Sequence, residues 1–240
     1  NYVGQSSISA VSLAANYSSI LFMVYYGLGT GASLLCSQYS GKSNLQAIHA
    51  VEGIALRFSV GISILVALIA FMMPQRMMQL FTADPELIAI GSSYLRVMGI
   101  TYICWGISEI YLAVLRSIGR VTISMVLNVL AFVLNIFLNA VFIFGLFGAP
   151  KLGATGVAIA TALSRLIQLL ACVIVVIVGI FITAGIENNM KRISRKFGDV
   201  AQGDLTVTVS AKGHDEFQDL AGSATNMITN TKKLVNQVSN

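Results

Sequence analysis

Charge is scarce in this sequence: 10% of its 240 residues are Asp, Glu, Lys or Arg, where soluble domains carry about a quarter. Hydrophobic residues make up 56% and the mean hydropathy is +0.79. That balance excludes an ordinary water-soluble domain, because the apolar share needs lipid as its solvent. Cysteine is scarce too. Cys36, Cys104 and Cys172 lie far apart, each inside an apolar run, which predicts buried free thiols rather than disulfides or metal ligands. His49 and His214 have no Cys and no second His at ligand spacing, so no metal site is expected. Nothing resembles a catalytic constellation, and an enzyme is not expected. The chain starts at Asn1 without Met or a basic leader, which reads as a fragment or a trimmed product.

The apolar residues form five runs, over 9–38, 47–73, 87–115, 122–146 and 155–185. Each is long enough for a hydrocarbon core about 30 Å thick, which takes about 20 helical residues. The connectors hold the breakers: Ser40-Gly41-Lys42-Ser43-Asn44, Pro74-Gln75-Arg76 with Asp84-Pro85-Glu86, Gly119-Arg120, and Gly148-Ala149-Pro150. The expected fold is therefore all-α, a polytopic bundle of about five transmembrane helices.

Beyond Glu187 the character changes. The last 53 residues hold 12 of the 25 charged side chains and read as two short amphipathic helices around Gly203-Asp204-Leu205. The net charge of +5 does not indicate a nucleic-acid partner, because Lys191, Arg192, Arg195 and Lys196 cluster directly after the last apolar run. A positive-inside flank belongs there, which predicts a cytoplasmic C-terminus. Counting back places 41–44 and 116–120 inside, and 74–86 and 148–153 outside.

Polar groups within the runs are the candidate functional residues. Ser124, Asn128, Asn135 and Asn139 fall within a stripe of about 60° on the fourth run, at about 100° per residue. Two readings of the stripe stay open: hydrogen-bonding glue between helices, or one wall of a water-filled transport cavity. Glu109, with Tyr102 and Tyr111 in the third run, either titrates or pairs with an arginine near a helix end; the same holds for Glu52 with Arg57. Arg165 either snorkels outward or faces the bundle interior. Gly27-Leu28-Gly29-Thr30-Gly31 lacks the preceding strand and following Lys of a phosphate loop, so close helix packing is the better account.

The order of several motifs is similar to that of the multidrug and toxic compound extrusion (MATE) family. Gly29-Thr30-Gly31-Ala32-Ser33 leads to Ser37-Gln38-Tyr39-Ser40-Gly41, and Asp84-Pro85-Glu86 precedes Tyr94-Leu95-Arg96. Leu115-Arg116-Ser117-Ile118-Gly119 comes next, then Leu134-Asn135-Ile136-Phe137-Leu138-Asn139, Ile143-Phe144-Gly145 and Gly153-Ala154-Thr155-Gly156. The resemblance covers about 170 residues and implies helices two to six of one six-helix lobe, in a bacterial inner-membrane transporter. It further implies an organic-cation substrate and a coupling gradient of protons or sodium ions. Where proton-coupled members have Asn and Asp four residues apart, this chain has Asn135 and Asn139, so the acid is replaced by an amide.

The tail resembles a HAMP linker, the relay of methyl-accepting chemotaxis proteins and sensor kinases. Met190, Ile193, Phe197 and Val200 recur at helical steps, and Gly203-Asp204-Leu205 ends that helix. Asp215-Glu216 opens a second helix, with Phe217, Leu220, Ala224, Met227, Thr231 and Leu234 on one stripe. The resemblance implies a homodimer through a parallel four-helix bundle. The expected organisation is a MATE-like half-lobe over 1–175, the end of the last membrane helix over 176–185, and the HAMP-like linker over 186–240. A transporter fragment with a signalling linker, a transmembrane sensor, and a non-functional chimera of two genes are the readings left open.

Overall fold

In the computed structural model, residues 4–150, 152–204, 206–209 and 216–238 are described, with side chains except at 183–185, 187, 189, 216, 217, 235, 236 and 238. Among the described residues seven α-helices follow in order: α1 (Gln5–Gly41), α2 (Leu45–Met72), α3 (Pro74–Gln79), α4 (Pro85–Ser117), α5 (Val121–Phe144), α6 (Gly153–Ala201) and α7 (Glu216–Val238). Five of them are long and apolar enough to cross a membrane: α1, α2, α4, α5 and α6 from Gly153 to Ile182. Even α5, with 24 residues, reaches further than a hydrocarbon core about 30 Å thick at about 1.5 Å per residue.

The helix ends follow from local chemistry. Asn44 caps α2 by accepting the Ala47 amide at 3.1 Å, and Asp84 caps α4 by accepting that of Glu86 at 2.9 Å. Pro85 then occupies the first helical position, where its missing N–H leaves nothing unsatisfied. The 74–86 connector was expected as loop, but α3 lies within it. Pro74 starts that turn, and Met77 and Met78 anchor it, the latter reaching into space left by the missing side chain of Gly91. Gly145 ends α5 in the left-handed conformation, and the Leu152 amide donates back to the Phe142 carbonyl at 3.2 Å.

The chain divides into two compact units, Asn1–Ile174 and Val175–Asn240, with the division falling inside α6. In the first unit α4 is the central element, buried along most of its length against α1, α2 and α3. Gly106 makes that closeness possible. A β-carbon there would stand 2.6 Å from Ser59 Oγ and 2.7 Å from Ser63 Oγ on α2, and 3.0 Å from the Tyr25 ring on α1. Around it lies a buried polar knot: the Tyr25 hydroxyl meets Ser63 Oγ at 2.6 Å and donates to the Tyr102 carbonyl at 3.0 Å. Ser18 meets the Tyr102 hydroxyl at 3.1 Å. Of the glycines in 27–31 only Gly29 is packed, 3.3 Å from Ala113 by its virtual β-carbon; Gly27 and Gly31 face open space.

In the second unit α6 runs on to Ala201, and Gly203 turns the chain with φ +94°. Ile193 and Val209 are buried with Ala221, Ala224 and Ile228 of α7. The Thr225 hydroxyl binds the Val209 backbone, lying 3.2 Å from its amide and 3.1 Å from its carbonyl oxygen. That contact fixes the connector against the helix.

Candidate functional site

On α5 the expected stripe is real and faces inward. Ser124 is fully buried, and Asn128, Asn135 and Asn139 are half-buried. The opposite face (Met125, Val129, Phe132, Ile136) is more than half exposed, turned away from the bundle. The stripe finds most of its partners on α6. Asn135 Nδ2 donates to Thr161 Oγ1 and Ser164 Oγ, each at 3.3 Å, and Asn139 Nδ2 donates to Asn135 Oδ1 at 3.0 Å. Gln168 Nε2 donates to Asn128 Oδ1 at 3.0 Å. The stripe is thus largely stitched between helices. One atom stands apart: Asn139 Oδ1 is buried without a donor, which is costly for a carbonyl oxygen in an apolar setting.

The charged residues divide. Glu109 pairs with Arg116 near the end of α4, at 3.3 Å, and Arg116 also donates to Ser124 on α5 at 3.1 Å. Neither Tyr111 nor Tyr102 donates to Glu109; Tyr102 instead belongs to the knot that joins α4 to α1 and α2. Glu52 faces His49 at 3.6 Å rather than Arg57. Arg165 turns into the bundle: its guanidinium lies 4.7 Å from the centre of the Trp105 ring, and Nη1 donates to Gln168 Oε1 at 2.9 Å. Trp105 is itself braced by Phe22, with ring centres 5.6 Å apart and planes 22° from parallel.

Sequence reading missed Thr161, Ser164 and Gln168. A signal was present, since Thr161, Ser164, Arg165 and Gln168 recur at three- and four-residue steps on one face of α6. Trp105 gave no such signal, because an aromatic in an apolar run carries no sign of its partner. Among the described residues no three His, Cys, Asp or Glu side chains gather at metal-binding distance, and the three cysteines are free.

The tail set Met190, Ile193, Val200, Leu220, Met227 and Leu234 was expected in the core of a dimer, and within one copy it divides. Met190, Leu220, Met227 and Leu234, expected in a core, are 45–62% exposed in the single chain. Of the expected set, Ile193 is buried and Val200 is packed against the same cluster. The physical reason is size: within one copy α7 seats its small Ala221 and Ala224, with Ile228, against Ile193 and Val209, which rotates the larger side chains outward. Gly203 takes the turn as expected. Asp204 Oδ1 accepts the Thr206 amide at 2.9 Å and its hydroxyl at 2.6 Å. Those two donors hold the Asp204 carboxyl below its ordinary range, with Lys196 and Lys232 adding a smaller attraction. Leu205, Asp215 and His214 lie outside the described residues, as does the side chain of Glu216.

The sequence profile of the MatE family matches residues 1–141, more than half of the chain. The chain belongs to the MatE family. The match contains Glu109, Asn128, Asn135 and Asn139, and it ends before Arg165 and the tail. This MatE chain is 26% identical over 171 residues to the uncharacterized transporter YisQ of Bacillus subtilis strain 168, covering 71% of this chain and 38% of YisQ. It is 27% identical over 173 residues to the probable multidrug resistance protein YoeA of the same organism, covering 72% and 37%. The solved outward-facing conformation of a multidrug resistance MATE family transporter of the MOP superfamily superposes with a TM-score of 0.65. That match has 24% identity and covers 71% of this chain and 37% of the other. The structural likeness shows the fold. The chain spans less than two fifths of the length of the relatives it matches. MATE transporters sit in the bacterial inner membrane and are not enzymes.

Proposed function

We propose that this chain belongs to a multidrug efflux transporter in which the α5 stripe contributes to the path of solute and coupling cation. The observation that carries the reading is the half-buried amide ladder between α5 and α6: Asn128 bonded to α6 through Gln168, Asn135 through Thr161 and Ser164, and Asn139 with its oxygen left over. Buried Ser59, Ser92 and Thr101 hydroxyls also lack a partner, but Asn139 Oδ1 is the one such atom on the α5 stripe, and a path for a cation needs oxygen atoms that are not already committed. With amides at both positions, α5 offers no titrating group, which favours a cation held by oxygen dipoles, such as sodium, over a proton carried by a carboxylate. The α5 stripe, with Glu109 behind it, forms one side of the cavity in this reading.

The tail is read as a HAMP-type linker with a cytoplasmic C-terminus, supported by the turn at Gly203 between α6 and α7 and by the basic cluster on α6. A homodimer through the tail is supported by the exposed apolar row of Met190, Leu220, Met227 and Leu234.

The test uses membrane vesicles containing the full chain, preloaded with a fluorescent drug under an imposed sodium gradient. Asn139→Leu is expected to abolish export while the protein still inserts and keeps its helicity. Export unchanged by Asn139→Leu would return the stripe to packing alone, and no export above that of empty vesicles by the unmodified chain would remove the transport reading for this chain.

A further inference from the structure

We propose that Arg165 is a recognition residue for an oxyanion, a carboxylate or phosphate monoester, carried by a solute that enters this half of the bundle. The proposal rests on the transport reading and narrows its substrate class.

Arg165 lies twelve residues into α6, about 18 Å from its start at about 1.5 Å per residue, well inside the candidate span Gly153–Ile182. A cation at that depth is costly unless something compensates it. Its surroundings supply little charge. Among the described residues no carboxylate lies within ion-pair distance of it; Glu109, which attracts it from further off, is engaged by Arg116 at 3.3 Å, and Glu86 stands in the first turn of α4. The described spans of α4, α5 and α6 therefore carry two acids, Glu86 and Glu109, and three arginines, Arg96, Arg116 and Arg165.

What Arg165 does have is orientation. The Trp105 ring supports its guanidinium at 4.7 Å, and Gln168, only 2% exposed, accepts one of its N–H bonds at 2.9 Å. The direction of the Gln168 amide is settled by its neighbours. Arginine has no acceptor, so the carbonyl must face Arg165, and the NH2 is left to donate to Asn128 at 3.0 Å. A guanidinium has five N–H donors in a planar fork, and the recorded contacts use one of them. Arg165 is itself only partly buried, so the rest of the fork can be reached. A fixed, planar, partly accessible fork, its charge only partly offset by a Glu109 that Arg116 already engages, matches the paired oxygens of a carboxylate or phosphate. An organic cation, the substrate class implied by the family resemblance, would be repelled there.

The sequence supplies the reporter. Trp105 is the single tryptophan in the chain, so intrinsic fluorescence reads this site alone. The experiment titrates the full chain, purified in detergent, with three probes sharing one tail: hexyl phosphate, hexanoate and hexyltrimethylammonium. The two anions are expected to change Trp105 fluorescence saturably and the ammonium not to. Arg165→Gln is expected to weaken anion binding by roughly tenfold or more, in line with loss of a hydrogen bond to a charged group. Arg165→Lys, which keeps the charge without the fork, should fall between. Should Arg165→Gln not fold, Gln168→Glu places an acid against the guanidinium and is expected to abolish the anion response with Arg165 intact. Saturable binding of the ammonium alone, no saturable response to either anion, or anion affinity unchanged in both variants overturns the proposal. Competition by dihexanoyl phosphatidylglycerol would assign the fork to a lipid headgroup and overturn the solute assignment. Binding is read here without a gradient, so its failure is distinguishable from a failure of transport.

Discussion

At the residue scale, the small and polar side chains of the first unit matter more than its large apolar ones. Gly106 illustrates why. Replacing glycine by alanine inside a helix ordinarily gains about 1 kcal/mol of helix propensity, yet a β-carbon here would overlap two serine hydroxyls within 2.7 Å. Those serines are buried on α2, and Ser63 is already held by Tyr25 at 2.6 Å, so neither can step aside freely. Overpacking of this kind costs about 1–3 kcal/mol, which outweighs the propensity gain. Gly106→Ala is expected to lower the thermal unfolding temperature of the detergent-solubilised protein, whereas Gly27→Ala, with nothing within 4 Å of its virtual β-carbon, is expected to leave it equal or higher. A rise for Gly106→Ala would mean that α2 and α4 do not approach as closely as described.

At the scale of elements, sequence periodicity identified which faces are polar but not what they meet. The five spans and the α5 stripe were legible because length and a repeat near 3.6 residues are intrinsic to one helix. The partners of that stripe on α6, and the seat of Arg165 on Trp105, were not, since pairing between helices is decided by their packing. The short α3 was hidden for a different reason: six residues carry too little periodicity to stand out, and its anchor, Met78 over Gly91, is tertiary. In the tail, the row of large side chains on α7 was legible, but the face packed within one copy was not. Alanine at 221 and 224 gives a weak hydropathy signal and a close fit. The charges in the connectors make a further element-scale prediction. Arg76 on the short α3 between α2 and α4 is expected outside, and Lys232 on α7 inside. Cysteines placed at these positions in intact cells should react with an impermeant maleimide at 76 directly and at 232 only after lysis. The opposite order would invert the bundle, with the basic cluster of α6 on the outer side.

For the whole molecule, the open question is what covers the apolar row that the tail leaves outward. Met190, Leu220, Met227 and Leu234 are 45–62% exposed on a unit whose own core is small: Ile193, Val209, Ala221, Ala224 and Ile228. A domain of roughly 60 residues is marginal by itself because so much of its surface stays in water. Burying four large side chains against a second copy adds about 1.5–3 kcal/mol for each one fully covered. Part of that gain is offset by the entropy of association, so a dimer of moderate strength is expected, at concentrations well above micromolar. Leu220→Asp places a charge on the row without touching the inward contacts of Ala221 and Ala224. It should shift the full detergent-solubilised chain to monomer in sedimentation equilibrium while the helical content stays unchanged. A monomer for the unmodified chain at those concentrations would leave the row without its proposed partner, and the parallel-bundle reading of the tail would fall with it. A dimer that persists in Leu220→Asp would place the association in the membrane-spanning unit instead.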